Sequence, residues 1–292
     1  KFSFGERSWR TLFKKVAMSH FVCAMTKTSE SDSLFDGLHQ MSTNDLVKSM
    51  NTLDQTVPES VGQQLLPIST LIDAVYDKMR QGGRLFYIGS GTSGRLGVVD
   101  ASECPPTFGV DHGRVVGIIA GGDPAIRVAV ENAEDDTKQA WLDLKAYDVS
   151  DKDFVIGISA SGTTPYVIGG LQACKTHDVS CGSIACNADS KVGQIADFAI
   201  DCPVGPEFVT GSTRMKSGTA QKLILNMITT SVMIKLGHVQ GNKMVDMQLS
   251  NDKLVDRGAR MVMARTSLNY QDAKATLLKY GSVRKAVDSV QE

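Results

Sequence analysis

Two segments of the chain combine glycine with hydroxyl side chains, and this combination suits the binding of a phosphate group. The first segment, GSGTSG, spans residues 89–94, and the second, SASGTT, spans residues 159–164 and is followed by Pro165. Pro165 suits the first position of a helix and Thr164 suits its cap, so we expect free N–H groups and a positive dipole end there. The alternative is that these serines and threonines serve only as turn and cap residues.

The first segment also matches the G-x-G-x-x-G pattern of dinucleotide-binding proteins. By itself this pattern is a weak signal. The nearest acidic residue after the next predicted strand is Asp123, which lies well past the spacing expected for a ribose contact. We therefore do not expect a nicotinamide cofactor.

Glu103 is a candidate for acid–base chemistry because of its position. It lies in the stretch DASECPPTF, residues 100–108, close in sequence to the first segment. The helix that begins at that segment is expected to stop before Pro105, because proline disfavours helical backbone in the residue before it. A lone glutamate is ordinarily a solvated surface residue, so position is its only distinguishing feature.

Glu134 is the second candidate carboxylate. It belongs to an acidic cluster that we expect on a helix capped by Asp123 and running over residues 124–145. A helical wheel predicts a buried stripe on that helix, and Glu134 flanks the stripe, from where it could reach a neighbouring element. The stripe consists of Ile126, Ala129, Val130 and Ala133. The alternative is that the whole cluster is a solvated face.

A third segment, GPEFVTGSTRMKSGT at residues 205–219, follows the last predicted strand and leads into a long helix ending near Gly237. Arg214 and Lys216 would lie in the first turn of this helix, where cations oppose the helix dipole. This unfavourable placement indicates contact with an anion or a sugar. Pairing of these cations with Glu207 is the structural alternative.

The elements that must position these residues are strands and helices in alternation. Five short apolar runs do not alternate strictly between apolar and polar residues, which is typical of strands covered on both faces. They lie at residues 84–89, 115–120, 153–158, 181–186 and 198–202. Helical patterns between them predict a doubly wound α/β fold with a five-stranded parallel sheet, a helical N-terminal arm and a helical C-terminal extension. Both hydroxyl segments then follow strands at the carboxyl edge of the sheet, where ligands bind, which favours a phosphorylated, hydroxylated ligand.

Composition excludes several classes of protein. The 292 residues are 42% hydrophobic and 22% charged, which excludes disorder, and the net charge of −1 gives no global field that would attract nucleic acid or an acidic membrane. The most apolar stretch, residues 223–234, is too short and too polar to span a bilayer. Six cysteines form no C-x-x-C pair and five histidines have no metal-binding spacing, so we expect no metal site. Free thiols fit a reducing cytosol.

Residues 1–24 differ from the rest of the chain, because they contain five basic residues against one acidic residue. We interpret them as a leader or an extension, with the native start at Met25 or Met18. A transit peptide is the alternative. Residues 25–81 are predicted to be the N-terminal arm, residues 82–240 the α/β domain and residues 241–292 the C-terminal extension.

At these segments the sequence resembles the N-acetylmuramic acid 6-phosphate etherases, which belong to the sugar isomerase domain superfamily. The resemblance extends from Met25 to the C-terminus. Ser90, Ser159 and Ser217 depart from it, since alanine is common there. The matching stretches are GGRLFYIGSGTSGRLGVVDASECPPTFGV (82–110), IIAGGDPAIRVAVENAEDD (118–136), ISASGTTPYVIGGL (158–171), GPEFVTGSTRMKSGTAQKLILNMITTSVMIKLG (205–237) and GNKMVDMQLSNDKLVDRG (241–258).

The resemblance implies a cytoplasmic, cofactor-free homodimer. It would cleave the lactyl ether of N-acetylmuramic acid 6-phosphate to N-acetylglucosamine 6-phosphate and D-lactate during recycling of cell-wall sugars. The functional glutamates of the family fall on Glu103, as general acid, and Glu134, as the base that removes the C2 proton, although these roles could be exchanged. Burial of Glu103 against Pro105, Pro106 and Phe108 would favour the protonated form that a donor needs.

The residues expected to bind the substrate lie in the three segments, and the resemblance implies that the SASGTT segment holds the phosphate. They are Ser90, Thr92, Ser93, Ser159, Ser161, Thr163, Thr164, Glu207, Ser212 and Lys216. Two alternative functions use the same fold. A sugar-phosphate isomerase would need no second carboxylate, and a non-catalytic regulator that binds sugar phosphate would keep the loops and could lose the acid.

Overall fold

The computed structural model describes residues 27–291 of the chain, so the leader predicted at residues 1–24 lies outside the described residues. A five-stranded parallel sheet forms the centre of the molecule. Each strand lies within one or two residues of a predicted run, which confirms the predicted sheet. The strands are β1 (Leu85–Gly89), β2 (Val115–Ile119), β3 (Phe154–Ser159), β4 (Ser180–Ala185) and β5 (Phe198–Asp201). Their order is β2-β1-β3-β4-β5.

Helices cover both faces of the sheet and extend beyond it at each end of the described chain. The N-terminal arm contributes α1 (Thr43–Asp54), α2 (Thr56–Gly62) and α3 (Leu65–Arg80). The helices between strands are α4 (Gly91–Phe108), α5 (Pro124–Arg127), α6 (Gln139–Lys145), α7 (Pro165–Thr176) and α8 (Lys191–Ile195). The long α9 (Lys216–Lys235) follows β5 and ends before Gly237, whose φ of 89° confirms the predicted helix end.

The C-terminal part begins with a short hairpin, β6 (Val239–Gln240) and β7 (Lys243–Met244), followed by α10 (Asp252–Met263), α11 (Tyr270–Tyr280) and α12 (Val283–Gln291). These helices pack around an apolar cluster of their own. Within this part, Arg284 pairs with Asp246 at 2.7 Å. The Gln248 amide donates to the Pro106 carbonyl, and this bond joins the C-terminal part to α4. The domain boundary near residue 241 stays a prediction.

The core lies on the two faces of the sheet. One cluster packs β1, β3 and β5 against α2, α3 and α9, and the other packs the opposite face of the sheet against α6 and α7. Residues of β1 and β3 are buried along their whole length, which explains why their sequences lack alternation. None of the helices in residues 27–291 combines the length and the apolar character that a membrane-spanning segment needs.

Two predicted helix boundaries are wrong. α4 does not stop before Pro105 but continues through Pro105 and Pro106 to Phe108, where Gly109 adopts a φ of 69° and ends it. The prolines lie in the last turn and remove only two backbone donors there. The Gly109 amide still donates to the Pro105 carbonyl at 2.9 Å, and Pro105 and Phe108 are buried, which keeps that turn in place.

The second error concerns the helix expected over residues 124–145. Only α5 and α6 are helical there, and between them the chain is irregular apart from the 3₁₀ turn Ala133–Asp135. Val130, which the helical wheel placed in the buried stripe, is 43% exposed. Asn132 adopts a left-handed φ of 60°, which a continuous right-handed helix does not allow.

Candidate active site

The strand order reverses between β1 and β3, and the candidate site lies at this point of the sheet. β2 lies on one side of β1 while β3, β4 and β5 extend on the other side, so the connections leave in opposite directions. A crevice forms outside the carboxyl ends of the strands at such a point and is the usual binding place in open α/β sheets. Gly89 pairs with Ile158 across the two strands, so both hydroxyl segments leave the sheet side by side.

The first segment turns tightly because two glycines allow α4 to approach β1. A Cβ added at Gly94 would lie 2.7 Å from the Gly89 carbonyl oxygen and 2.6 Å from Ile119 Cγ1. A Cβ added at Gly89 would lie 2.8 Å from the Gly94 nitrogen. All three distances are shorter than real Cβ atoms adopt, so the N-terminus of α4 reaches the sheet edge only with glycine at these positions.

Ser90 brings the first segment into contact with Glu134. The Ser90 hydroxyl donates to Glu134 Oε2 at 3.0 Å. Glu134 lies in the 3₁₀ turn after Asn132, and Ser90 immediately precedes α4, so the carboxylate lies near the positive end of that helix. The expected reach of Glu134 to a neighbouring element is thus present, but a turn provides it instead of the predicted helix.

Thr92 and Ser93 connect the first segment to α9. Ser93 is buried, and its hydroxyl donates to Gln221 Oε1 at 3.1 Å. Thr92 is half-buried beside the start of α9, where a Cβ added at Gly218 would lie 3.4 Å from Thr92 Cγ2. Ser93 therefore holds two helices together, whereas Thr92 lies at the junction of the first and third segments.

The second segment gathers four hydroxyl groups at the N-terminus of α7. Ser159 Oγ and Thr164 Oγ1 lie 2.8 Å apart, and Thr163 Oγ1 donates to Ser161 Oγ at 3.1 Å. The Thr164 hydroxyl makes no capping bond to α7, so the predicted cap is present in position only. The first amides of α7 have no partner within the helix, and together with the hydroxyls they form a set of donors suited to phosphate.

The third segment is organised by Glu207. This carboxylate is fully buried and accepts from the Lys216 amide at 2.8 Å, the Ser217 amide at 3.0 Å and the Ser217 hydroxyl at 2.8 Å. It thereby caps α9. The Lys216 ammonium is buried too and donates to the Val204 carbonyl, and burial lowers the pKa of Lys216. Ser212 is half-buried in the turn before α9, and its amide donates to the Val209 carbonyl.

Glu103 lies far from these segments within one chain. It follows Ser90 by thirteen residues along α4, so the rise between them is about 20 Å. Its side chain is 64% exposed and lies 3.6 Å from the Lys222 ammonium on α9. The expected burial of Glu103 against the prolines is therefore wrong within one chain, and the structure does not bring Glu103 and Glu134 together there.

Sequence reasoning did not find Asp100, which lies one turn before Glu103. Asp100 is buried and accepts from the Tyr87 hydroxyl at 3.1 Å and from the Thr229 hydroxyl at 3.2 Å. Burial raises the pKa of Asp100 to about 6, against the lowering effect of these hydroxyls and of Lys222. No sequence signal distinguishes this aspartate from a surface one, because its partners are on β1 and α9.

The described cysteines are poorly suited to nucleophilic chemistry. The cysteines at positions 104, 174, 181, 186 and 202 are free and buried, and burial raises the pKa of Cys202 to about 11. A buried thiol with a raised pKa is a poor nucleophile. In residues 27–291, no group of three or more histidine, cysteine, aspartate and glutamate side chains is placed to hold a metal ion.

Comparison with known proteins identifies the family. A protein named N-acetylmuramic acid 6-phosphate etherase from Christiangramia forsetii is 57% identical over 89% of this chain and 95% of its own length. Proteins of the same name from Bacteroides fragilis and Porphyromonas gingivalis are 55% and 53% identical, over 90% and 91% of this chain and 94% and 97% of their own lengths. The chain belongs to this etherase family.

Domain families and solved structures agree with this etherase assignment at the level of the fold. The SIS domain family matches residues 128–231, and the family described as the glucokinase regulatory protein N-terminal SIS domain matches residues 67–175. A phosphoheptose isomerase from Francisella tularensis has a TM-score of 0.51 at 15% identity, over 65% of this chain and all of that one. Identity this low identifies the fold alone.

Proposed function

We propose that the chain is a cytoplasmic carbon–oxygen lyase that cleaves the D-lactyl ether of N-acetylmuramic acid 6-phosphate. The products are N-acetylglucosamine 6-phosphate and D-lactate, formed in the recycling of cell-wall amino sugars without a cofactor. The 57% identical relative of that name supports this activity. The observation that carries it is the position of the Glu134 carboxylate at the first hydroxyl segment, which leaves the sheet beside the strand that the SASGTT segment follows.

The substrate binds with its phosphate on the SASGTT segment and its sugar across the crevice between β1 and β3. The phosphate accepts from the hydroxyls of that segment and from the first amides of α7. The sugar then extends toward Ser90 and Glu134, because the two hydroxyl segments leave adjacent strands. The half-buried Thr92 contacts the sugar from the same edge, whereas Ser93, Glu207 and Lys216 position the segments from within.

The chemistry is an elimination followed by an addition. In the ring-opened sugar the C1 aldehyde acidifies the C2 hydrogen, and Glu134 removes it as a proton. The electron pair of that C–H bond forms the C2–C3 double bond as the C3–O bond breaks, and the departing lactyl oxygen takes a proton from Glu103. Glu103, now a carboxylate, activates water for attack at C3, and C2 regains a proton from Glu134.

The acid comes from the second subunit of a homodimer. Within one chain α4 separates Glu103 from Ser90 by about 20 Å, whereas acid and base must both lie within hydrogen-bond reach of the same sugar. Glu103 of the partner subunit meets this requirement if α4 crosses the dimer contact. The exposure of Glu103 in the single chain, 64%, is consistent with a group that completes a neighbouring site.

A lactate assay on the purified protein tests the activity. We expect D-lactate release from the muramic acid phosphate in the presence of a metal chelator, and a product carrying solvent hydrogen at C2 and solvent oxygen at C3. Glu103→Gln should still exchange the C2 hydrogen in heavy water without releasing lactate, whereas Glu134→Gln should do neither. If Glu134→Gln exchanges the C2 hydrogen and Glu103→Gln does not, the roles of acid and base are exchanged. Lactate release without solvent oxygen at C3 would disprove the elimination.

A non-catalytic regulator is the second candidate, because the glucokinase regulatory protein SIS family matches residues 67–175. Such a protein would bind sugar phosphates through the same loops without turnover. Binding of fructose 6-phosphate with no lactate release would therefore support the regulator instead of the etherase.

A further inference from the structure

The first described residues of the chain cross the edge of the phosphate-binding segment. We call residues 27–35 the N-terminal strap. They precede α1 and form no strand with the sheet, but they contact two of the three segments of the site. The strap is therefore part of the surroundings of the ligand although it is far from the loops in sequence.

One end of the strap is fixed by a buried side chain. Asn187, two residues after β4, is 3% exposed, and its Oδ1 accepts from the Ser29 amide at 3.1 Å. Its Nδ2 donates to Ser29 Oγ at 2.8 Å and to the Ala160 carbonyl at 3.1 Å. Ser29 itself is fully buried. A single amide side chain thus holds both the strap and the backbone of the SASGTT segment.

The other end of the strap is fixed to the third segment. The Ser33 amide donates to Thr210 Oγ1 at 2.9 Å, and the Ser33 hydroxyl donates to the Phe208 carbonyl at 2.7 Å. The rings of Phe35 and Phe208 lie 5.3 Å apart. The Glu30 amide donates to the Lys27 carbonyl at 3.0 Å, so together with the anchor at Ser29 it holds the backbone of residue 27 beside the second segment.

Lys27 extends from the strap to the hydroxyl cluster. Its ammonium donates to Thr163 Oγ1 at 3.0 Å, and Thr163 in turn donates to Ser161 Oγ at 3.1 Å. The SASGTT segment contains no charged side chain, so its hydroxyls and amides bring only partial charges to a phosphate. The lysine adds a full positive charge at the end of this hydroxyl chain.

We propose that Lys27 is a phosphate-binding residue of this site and that the N-terminal strap exists to hold it there. The inference deepens the proposed function and rests on it for the identity of the phosphorylated ligand. The ligand chemistry it requires is a phosphate monoester or inorganic phosphate, bound jointly by the Lys27 ammonium, the segment hydroxyls and α7.

Inorganic phosphate is the probe, because its binding can be measured without turnover. We expect Lys27→Gln to weaken phosphate binding to the full chain about 3- to 5-fold by calorimetry, and Lys27→Arg to retain most of it. The wild-type affinity should fall more steeply with added salt than that of Lys27→Gln. Lys48→Gln is the matched control, since Lys48 is an exposed lysine of α1 that belongs neither to the strap nor to the three segments.

Turnover gives a second readout. With the muramic acid phosphate, Lys27→Gln should raise KM by a similar factor and leave kcat within about 2-fold, because the phosphate takes no part in the bond changes. Weaker phosphate binding in Lys27→Gln without lactate release by the wild type would support this inference and disprove the proposed function. Unchanged phosphate affinity in Lys27→Gln, an equal loss in Lys48→Gln, or no phosphate binding by the wild type would overturn the inference.

Discussion

Ser90 and Glu134 are 44 positions apart in the sequence and are joined by a hydrogen bond of 3.0 Å. The donor precedes the N-terminus of α4 and the acceptor lies in a short turn whose entry requires the left-handed Asn132. A carboxylate held by one hydroxyl at a helix N-terminus is oriented without being buried. This orientation suits a base that must meet a carbon-bound proton at a fixed angle.

Replacement of Ser90 by alanine should impair the base without removing it. We expect Ser90→Ala to lower kcat about 10-fold and to leave KM within about 2-fold, because one hydrogen bond to a charged group orients Glu134. The measurement is steady-state lactate release together with the rate at which C2 exchanges hydrogen with heavy water. Ser102→Ala, an exposed serine of α4 that bonds only within the helix, is the control. An equal loss in both variants would contradict the role of the Ser90 contact.

The proposed sharing of the site between subunits predicts complementation. Glu103→Gln and Glu134→Gln should each be inactive in lactate release, but a mixture refolded together should regain about one quarter of wild-type activity. Half of the dimers are then mixed, and each mixed dimer contains one site with both glutamates. Refolding each variant alone is the control. Failure of mixed dimers to regain activity would place both acids of a working site in one chain.

The close contact of α4 with the sheet predicts a large effect of one methyl group. Gly94→Ala should lower the free energy of unfolding by about 2–4 kcal/mol, because its Cβ would overlap the Gly89 carbonyl and Ile119. Gly62→Ala in α2 is the matched control, since nothing lies within 4 Å of its added Cβ. Urea unfolding measures both. Equal stability of the two variants would show that α4 can shift without cost.

Asp100 predicts a pH dependence of stability. Burial raises its pKa from 3.8 to about 6, so the folded state holds the proton more tightly than the unfolded state. This stabilisation is complete below about pH 4 and is lost as the pH rises through about 6, a fall of at most about 3 kcal/mol. Asp100→Asn should remove that slope in urea unfolding from pH 4 to pH 8, whereas Asp178→Asn, at an exposed position, should keep it. An unchanged slope in Asp100→Asn would assign the effect to another group.

The sheet was predictable because β1 and β3 are buried along their whole length and β2 and β4 at all but one residue each, so their apolar runs are continuous and bounded by glycine and polar residues. The hydroxyl segments followed from the strands, since parallel strands bring their carboxyl ends to one edge. Local sequence therefore determines which residues lie near the crevice between β1 and β3.

Contacts made across the fold were not predictable in the same way. The helical wheel over residues 124–145 treated Val130 as buried, whereas it is exposed, because periodicity cannot detect a break such as the left-handed Asn132. The contact from Lys27 to Thr163 spans 136 residues and has no local signal. The partners of Asp100 are Tyr87 on β1 and Thr229 on α9. They lie near Asp100 only in the folded chain, so the local sequence gives no sign of these contacts.

The length of α4 has a consequence for the behaviour of the protein in dilute solution. In the proposed mechanism, α4 holds Glu103 about 20 Å from Ser90, so the site of a solitary chain lacks its acid. Under the shared arrangement, turnover per chain then follows mass action: it stays constant while subunits remain associated and declines as dilution separates them. Adding the Glu103→Gln, Glu134→Gln double variant in excess should inhibit wild-type turnover, because each mixed pair loses both complete sites.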